Sequence, residues 1–155
     1  SEAARKGVDP ARLVFASRLP LAEYIARYRM AGLFLDTAPY NAGTTASDAL
    51  WAALPVLTRA GETFASRVAA RMLTAPDWPE LLTTSQEEYG PLAVSLAHDA
   101  PALEKIRLKL EQGRVASPLF DTVSFTRSLE ALYTRMHERA RAGLAPGHLD
   151  AQPNA

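Results

Sequence analysis

The sequence predicts an α/β fold: a partial parallel sheet with crossover helices, followed by a helical extension. Three observations predict it. Apolar runs at residues 13–16, 33–35 and 55–58 alternate with segments whose apolar residues recur at helical spacing. Each run is apolar on consecutive positions, as in strands covered on both faces. Beyond residue 75 the runs stop, and helix-start signals and apolar stripes of helical period take over. The chain therefore divides into an α/β portion, 1–75, a helical extension of the same unit, 76–143, and a tail, 144–155, expected to be mobile.

Residues 1–8 read as the end of a helix, with Gly7 as terminator and Asp9-Pro10 restricting the chain beyond it. Leu13-Val14-Phe15-Ala16 reads as a buried strand. Pro20 opens a helix over 21–31. On it Leu21, Ile25 and Tyr28 follow helical spacing, and Glu23 and Arg27 form an i,i+4 pair. Leu33-Phe34-Leu35 is a second strand, leading into a loop over 36–43. Thr44-Thr45 starts a helix that runs to about residue 53. Pro55-Val56-Leu57-Thr58 is a third strand, with proline at the first position, where its missing donor is tolerated. Gly61-Glu62-Thr63 turns into a helix over 64–73, and 78–82 is a short helix. Ser85 through Glu88 makes a capping-box-like start to a helix ending near His98. Pro101 opens the next helix, to about residue 112. Thr122 or Ser124 caps a long helix over 125–142, striped by Phe125, Leu129, Leu132, Tyr133 and Met136 and ended by Gly143.

Composition narrows the function. The 155 residues are 48% apolar and 22% charged, an ordinary globular balance. Seventeen basic and seventeen acidic side chains cancel, so a nucleic-acid partner ranks low. The absence of cysteine excludes disulfide scaffolds and thiolate zinc sites, and fits a reducing compartment. His98, His137 and His148 stand in no metal-ligand spacing, so no metal is expected. No apolar run approaches a membrane span, and no signal peptide is expected from the polar start. These point to a cytoplasmic protein with no membrane partner.

The most informative stretch is residues 41–48, NAGTTASD, which follows a strand and opens a helix. In open α/β sheets, ligands bind beyond the C-terminal strand ends. A helix start there offers free backbone N–H groups and a positive dipole end. Thr44 and Thr45 add hydroxyls suited to a diphosphate, Gly43 permits close approach, and Asp48 can accept from ribose hydroxyls. The same residues also match a plain capping box, Thr45 with Asp48. Tyr24 and Arg27, three apart on one helix, suit stacking on and hydrogen bonding to a base, or are a half-buried tyrosine beside a solvated arginine. No Ser-His-Asp or Cys-His arrangement can be argued, so no catalytic residue is assigned. No Gly-rich nucleotide fingerprint occurs either.

Residues 35–51, LDTAPYNAGTTASDALW, resemble the signature of O-linked N-acetylglucosamine transferases. So do LPVLT at 54–58, GETFASRVA at 61–69 and SPLFDT at 117–122, followed by the long terminal helix. The resemblance covers residues 7–143 or so, with several motifs in order. It implies the two-lobed GT-B fold, this chain being a Rossmann-like C-terminal lobe without its first strand–helix unit. It implies an inverting transfer of N-acetylglucosamine from UDP-N-acetylglucosamine to Ser or Thr of a protein acceptor, with no metal and no cofactor. By position, Thr44 and Thr45 would contact the diphosphate, Asp48 the ribose and Arg27 the uracil, with the backbone near Leu19 helping. An N-terminal catalytic lobe and tetratricopeptide repeats of a parent protein are the implied intramolecular partners.

Three positions depart from the family pattern. Gly43 replaces a frequent His, Leu21 a common Lys, and Tyr24 the His of animal enzymes. Two other readings therefore stand beside the donor-binding one: a non-catalytic association module with a decayed donor site, and a GDP-fucose-dependent relative. The chain alone is expected to be inactive. An uncovered sheet edge and apolar surface are expected to drive self-association, as a homodimer.

Overall fold

A computed structural model of the chain describes residues 2–151. The first helix, α1 (Glu2–Arg5), is followed by a turn through Gly7, whose φ of +74° is left-handed. Helix α2 (Leu21–Arg27) tightens into a 3-10 turn, Tyr28–Met30, before strand β1 (Phe34–Leu35). Helix α3 (Thr44–Trp51), strand β2 (Val56–Arg59) and helix α4 (Val68–Thr74) follow. Next come a 3-10 turn at Pro79–Leu81, strand β3 (Leu82–Thr83), and three helices: α5 (Gln86–His98), α6 (Ala100–Gly113) and α7 (Thr122–Arg141).

The three strands form a parallel sheet in the order β1-β2-β3. Phe34 pairs with Val56 and Leu35 with Leu57; Thr58 pairs with Leu82 and Arg59 with Thr83. Parallel neighbours need a crossover, and here α3 and then α4 supply one each. The core lies where these crossovers meet the sheet. Ala46, Ala49 and Leu50 of α3, Val56 of β2, Ala69 and Leu73 of α4, and Leu96 and Leu110 of α5 and α6 pack into one buried cluster with Trp78 and Leu81. Small residues on α3 and α4 let both helices approach β2 closely. Each fully buried leucine stabilises the fold by about 1.5–3 kcal/mol.

The α/β class stands, but one strand moves. Leu13-Val14-Phe15-Ala16 is not a strand: residues 13–20 carry no regular structure, and Val14 and Phe15 are 88% and 91% exposed. An apolar run becomes a strand only when a neighbour completes its ladder, and no strand lies beside this one among the described residues. The third strand is instead Leu82–Thr83, within the stretch read as a helix over 78–82. Only Pro79–Leu81 of that stretch is helical.

Two helix starts also shift. Helix α4 begins at Val68 rather than near residue 64, because a hydrogen-bonded turn holds the residues before it. Gly61 N donates to Ser66 O at 2.8 Å, and Thr63 N to Ser66 Oγ at 3.0 Å. Helix α7 is capped by Asp121, whose carboxylate accepts from Ser124 N at 2.9 Å, and not by Thr122 or Ser124. The stripe on α7 is uncovered, with Phe125, Tyr133 and Met136 exposed. Residues 144–151 are irregular yet tied to α7: Arg139 Nε donates to Ala145 O and an Arg135 guanidinium N–H to Asp150 O, each at 2.6 Å. The end of the expected mobile tail, 152–155, lies outside the described residues.

Candidate functional site: two clefts joined through a tyrosine pair

The loop after β1 is held from within by Asp36. This side chain is buried, and one oxygen accepts from Thr37 N at 2.8 Å and Ala42 N at 2.7 Å. The other accepts from Thr58 Oγ1 on β2 at 2.6 Å. Tyr89 of α5 donates to Asp36 O at 2.7 Å, and burial, then the Asp36 charge, raise the Tyr89 pKa. Asn41 adds a second brace: its side-chain amide donates to Thr37 O at 2.9 Å, and its backbone N–H to Ala65 O at 3.0 Å. The loop, which includes a cis Ala38–Pro39 bond, is thereby rigid enough to present the start of α3 in one position.

That start is an open anion-binding geometry. Gly43 is the N-cap and no side chain caps the helix. Ala46 N and Ser47 N turn back to Gly43 O at 3.0 and 3.1 Å. The amides of Thr44 and Thr45 have no acceptor among the described residues, and both side chains are exposed. The plain capping-box alternative therefore does not hold. Thr45 is the second helical residue rather than the cap, and Asp48 makes no hydrogen bond back to it. A cleft of about 340 Å³ opens beside this start, lined among others by Asp36, Tyr40, Asn41, Gly43 and Thr45.

Leu19, Tyr24 and Arg27 line a separate cleft of about 520 Å³ with residues 16–18 and Leu21. An Arg27 guanidinium N–H donates to Ser17 O at 2.8 Å, and the guanidinium carbon sits 5.8 Å from the Tyr24 ring centroid. The otherwise irregular 13–20 segment is thus held against α2 by the arginine that the sequence singles out.

Tyr28, not singled out as a site residue, connects the two clefts. Its hydroxyl lies 2.5 Å from that of Tyr24, and it donates to Thr45 O at 3.4 Å. The Tyr24 and Tyr28 rings pack edge to face at 5.1 Å, and Tyr28 also touches Phe34 of β1. Burial, then the Tyr24 hydrogen bond, then the charges of Tyr24 and Asp48 raise its pKa far above that of a free phenol. Asp48 is therefore close enough to act on Tyr28, and half-buried on α3. Tyr24 and Tyr28 stand at i,i+4, a spacing visible in the sequence. The role of Asp36 was also visible as an acid closing an apolar run before a loop.

Residues 1–129 match the profile of glycosyl transferase family 41. The chain belongs to this family. It is 36% identical over 144 residues to a UDP-N-acetylglucosamine–peptide N-acetylglucosaminyltransferase of Caenorhabditis elegans, covering 93% of this chain and 12% of that protein. It is 35% identical over 153 residues to the probable UDP-N-acetylglucosamine–peptide N-acetylglucosaminyltransferase SEC of Arabidopsis thaliana, covering 98% of this chain and 16% of that one. A solved mutant of the Thermobaculum terrenum O-GlcNAc transferase superposes with a TM-score of 0.80 at 34% identity, over 86% of this chain and 26% of that chain. The chain thus spans a small part of the length of its relatives. The family 41 assignment accords with the observed parallel sheet. Among the described residues no helix is long and apolar enough to cross a membrane.

Proposed function

We propose that this family 41 chain is the donor-nucleotide-binding portion of an inverting protein O-glycosyltransferase, one that moves N-acetylglucosamine from UDP-N-acetylglucosamine to Ser or Thr. The observation that carries the reading is the open start of α3, with two free amides and two exposed threonine hydroxyls beside a cleft. In this reading the uracil lies against Tyr24 and Arg27 with the backbone near Leu19, and the diphosphate lies at Gly43, Thr44 and Thr45. Asp48 accepts from the ribose. In the reaction the acceptor hydroxyl oxygen attacks the anomeric carbon from the face opposite the phosphate. The carbon–phosphate oxygen bond breaks, and UDP leaves with its charge met by the helix start. No metal and no cofactor enter this account.

The hydroxyl proton needs a base. Asp36 is not free for that role, since Thr37, Ala42 and Thr58 occupy its carboxylate. We therefore place the catalytic groups in an N-terminal lobe of a parent protein and regard this chain as inactive alone. Tetratricopeptide repeats and a cytoplasmic location belong to the same reading. Gly43 favours a second one, an association module whose donor site has decayed, because the position offers no side-chain donor. A GDP-fucose-dependent relative is the third.

Calorimetric titration with UDP, with GDP as control, separates the three. UDP-selective binding that Asp48→Ala weakens supports the donor site; GDP selectivity supports the fucose-donor relative; no binding of either leaves the association module, or a cleft that needs the parent's first strand–helix unit.

A further inference from the structure

We propose that the groove between α4 and the 117–120 loop docks an extended acidic peptide with apolar side chains, the stretch flanking an acceptor hydroxyl. The inference rests on the donor reading, because Gly43, which lines the donor cleft, lies beside Val68, which lines the groove. A Cβ on Gly43 would stand 3.9 Å from Val68 Cγ1. The groove has a volume of about 550 Å³ and is lined by Phe64, Arg67, Val68, Arg71, Met72 and Leu119.

Its lining combines two features that are each costly when uncovered. Phe64 is 83% exposed, and it continues into the half-buried Val68, Met72 and Leu119 as one apolar strip. Beside the strip stand two arginines one turn apart, Arg71 N bonding to Arg67 O at 3.0 Å. Like charges at this spacing repel. Arg67 Nε donates to Thr63 O at 3.3 Å, and the Arg71 side chain makes no hydrogen bond among the described residues. Neither has a carboxylate partner among the described residues, although the chain carries seventeen acidic side chains. A planar guanidinium accepts a carboxylate in two parallel hydrogen bonds, so two carboxylates would satisfy the pair and remove its repulsion. A bare anion would meet the charges but leave Phe64, Met72 and Leu119 in water. An extended peptide presents successive side chains on opposite faces, so acidic and apolar residues can meet both halves of the groove.

The test is fluorescence anisotropy on the full 155-residue chain without nucleotide. The probe is a labelled ten-residue peptide of alternating Asp and Leu around a central Thr. Two controls carry Lys for Asp and Ser for Leu. The Asp–Leu peptide is expected to bind at least about tenfold tighter than either control, a difference worth one decade of affinity. The double variant Arg67→Gln with Arg71→Gln should abolish the charge preference, and Phe64→Ala should erase the advantage of Leu over Ser. All three residues are exposed, so unchanged melting curves accompany these losses. Equal binding of the acidic and basic peptides, binding of none, or a preference that survives the double variant overturns the proposal. Equal binding of the Asp–Leu and Asp–Ser peptides shows an anion site only and overturns it as well. UDP titration of the same samples keeps the two readings apart: peptide failure with UDP bound sinks the groove alone, and UDP failure sinks the donor site and with it the assignment of any bound peptide as an acceptor.

Discussion

The hydroxyls of Tyr24 and Tyr28 lie 2.5 Å apart, and the Tyr28 hydroxyl also donates to Thr45 O on α3. With the Tyr28 proton directed at that carbonyl, Tyr24 is left to donate to Tyr28. The pair therefore fixes the distance between the cleft at Arg27 and the open start of α3. Its raised pKa favours the protonated Tyr28 hydroxyl, the form that donates.

Tyr28→Phe keeps the ring contacts with Tyr24 and Phe34 and removes the hydroxyl. A stability loss of about 1 kcal/mol is expected in urea unfolding, the usual net worth of a hydrogen bond. Uridine should bind as before, because it touches one cleft. UDP, which spans both, should bind about threefold to tenfold more weakly, within 1.4 kcal/mol. Equal losses for uridine and UDP would show that the pair does not set the spacing.

Gly43→His tests the departure at the helix start. An added Cβ would meet Val68 Cγ1 at 3.9 Å, an ordinary contact, and φ at this residue is −97°. The variant should fold with stability changed by less than about 1 kcal/mol, as most exposed substitutions do. An imidazole donor beside the diphosphate should tighten UDP binding severalfold in calorimetry. Unchanged UDP affinity in a folded variant would place the diphosphate elsewhere.

Two helix starts respond to acid. Glu88 is held below its ordinary 4.5 by the Thr84 backbone N–H, then by the Thr84 hydroxyl. Asp121 is held below 3.8 by hydrogen bonds from the Ser124 side chain and backbone. Both native pKa values are depressed, so the unfolded chain binds the proton first as pH falls. Their stabilisation is complete well above pH 4.5 and is lost as pH drops through these values and below. Urea midpoints measured from pH 6 down to pH 3 should fall, and less steeply in the double variant Glu88→Gln with Asp121→Asn. Identical slopes would remove these two acids from the account.

Self-association should follow from what the sheet leaves uncovered. Strand β1 lies at the edge of the order β1-β2-β3, Leu35 on it is 56% exposed, and the apolar 13–16 segment stands free of the sheet. Light scattering at rising concentration should show dimers. A strict monomer at high concentration would contradict this, and Val14→Ser with Phe15→Ser should reduce association if the segment drives it.

The sequence made the crossover architecture legible because helices announce themselves locally, through Ser85 as a cap or Gly143 as a stop. It misplaced one strand because strand identity is not local. Leu13-Val14-Phe15-Ala16 has the stronger apolar run, yet Leu82–Thr83 has the neighbour. Proximity of the site residues was half legible. Leu19, Tyr24 and Arg27 share one cleft, and Gly43 and Thr45 another, as single-segment spacing suggests. The tyrosine link between them joins residues 17 positions apart, and Asp36 meets Thr58 across 22. The Asp36–Thr58 pairing arises only once β1 and β2 align. The choice of Gly43 over Thr45 as cap shows the other limit: several residues in a row could start the same helix.

The measurement that bears most directly on the central claim is calorimetric titration of this chain with UDP against GDP, repeated on Asp48→Ala. Asp48 caps nothing, so its removal should leave the melting temperature nearly unchanged. The donor-site account predicts saturable binding selective for UDP in the native chain, weakened in the variant. Absence of UDP binding, or UDP affinity indifferent to Asp48, would contradict it.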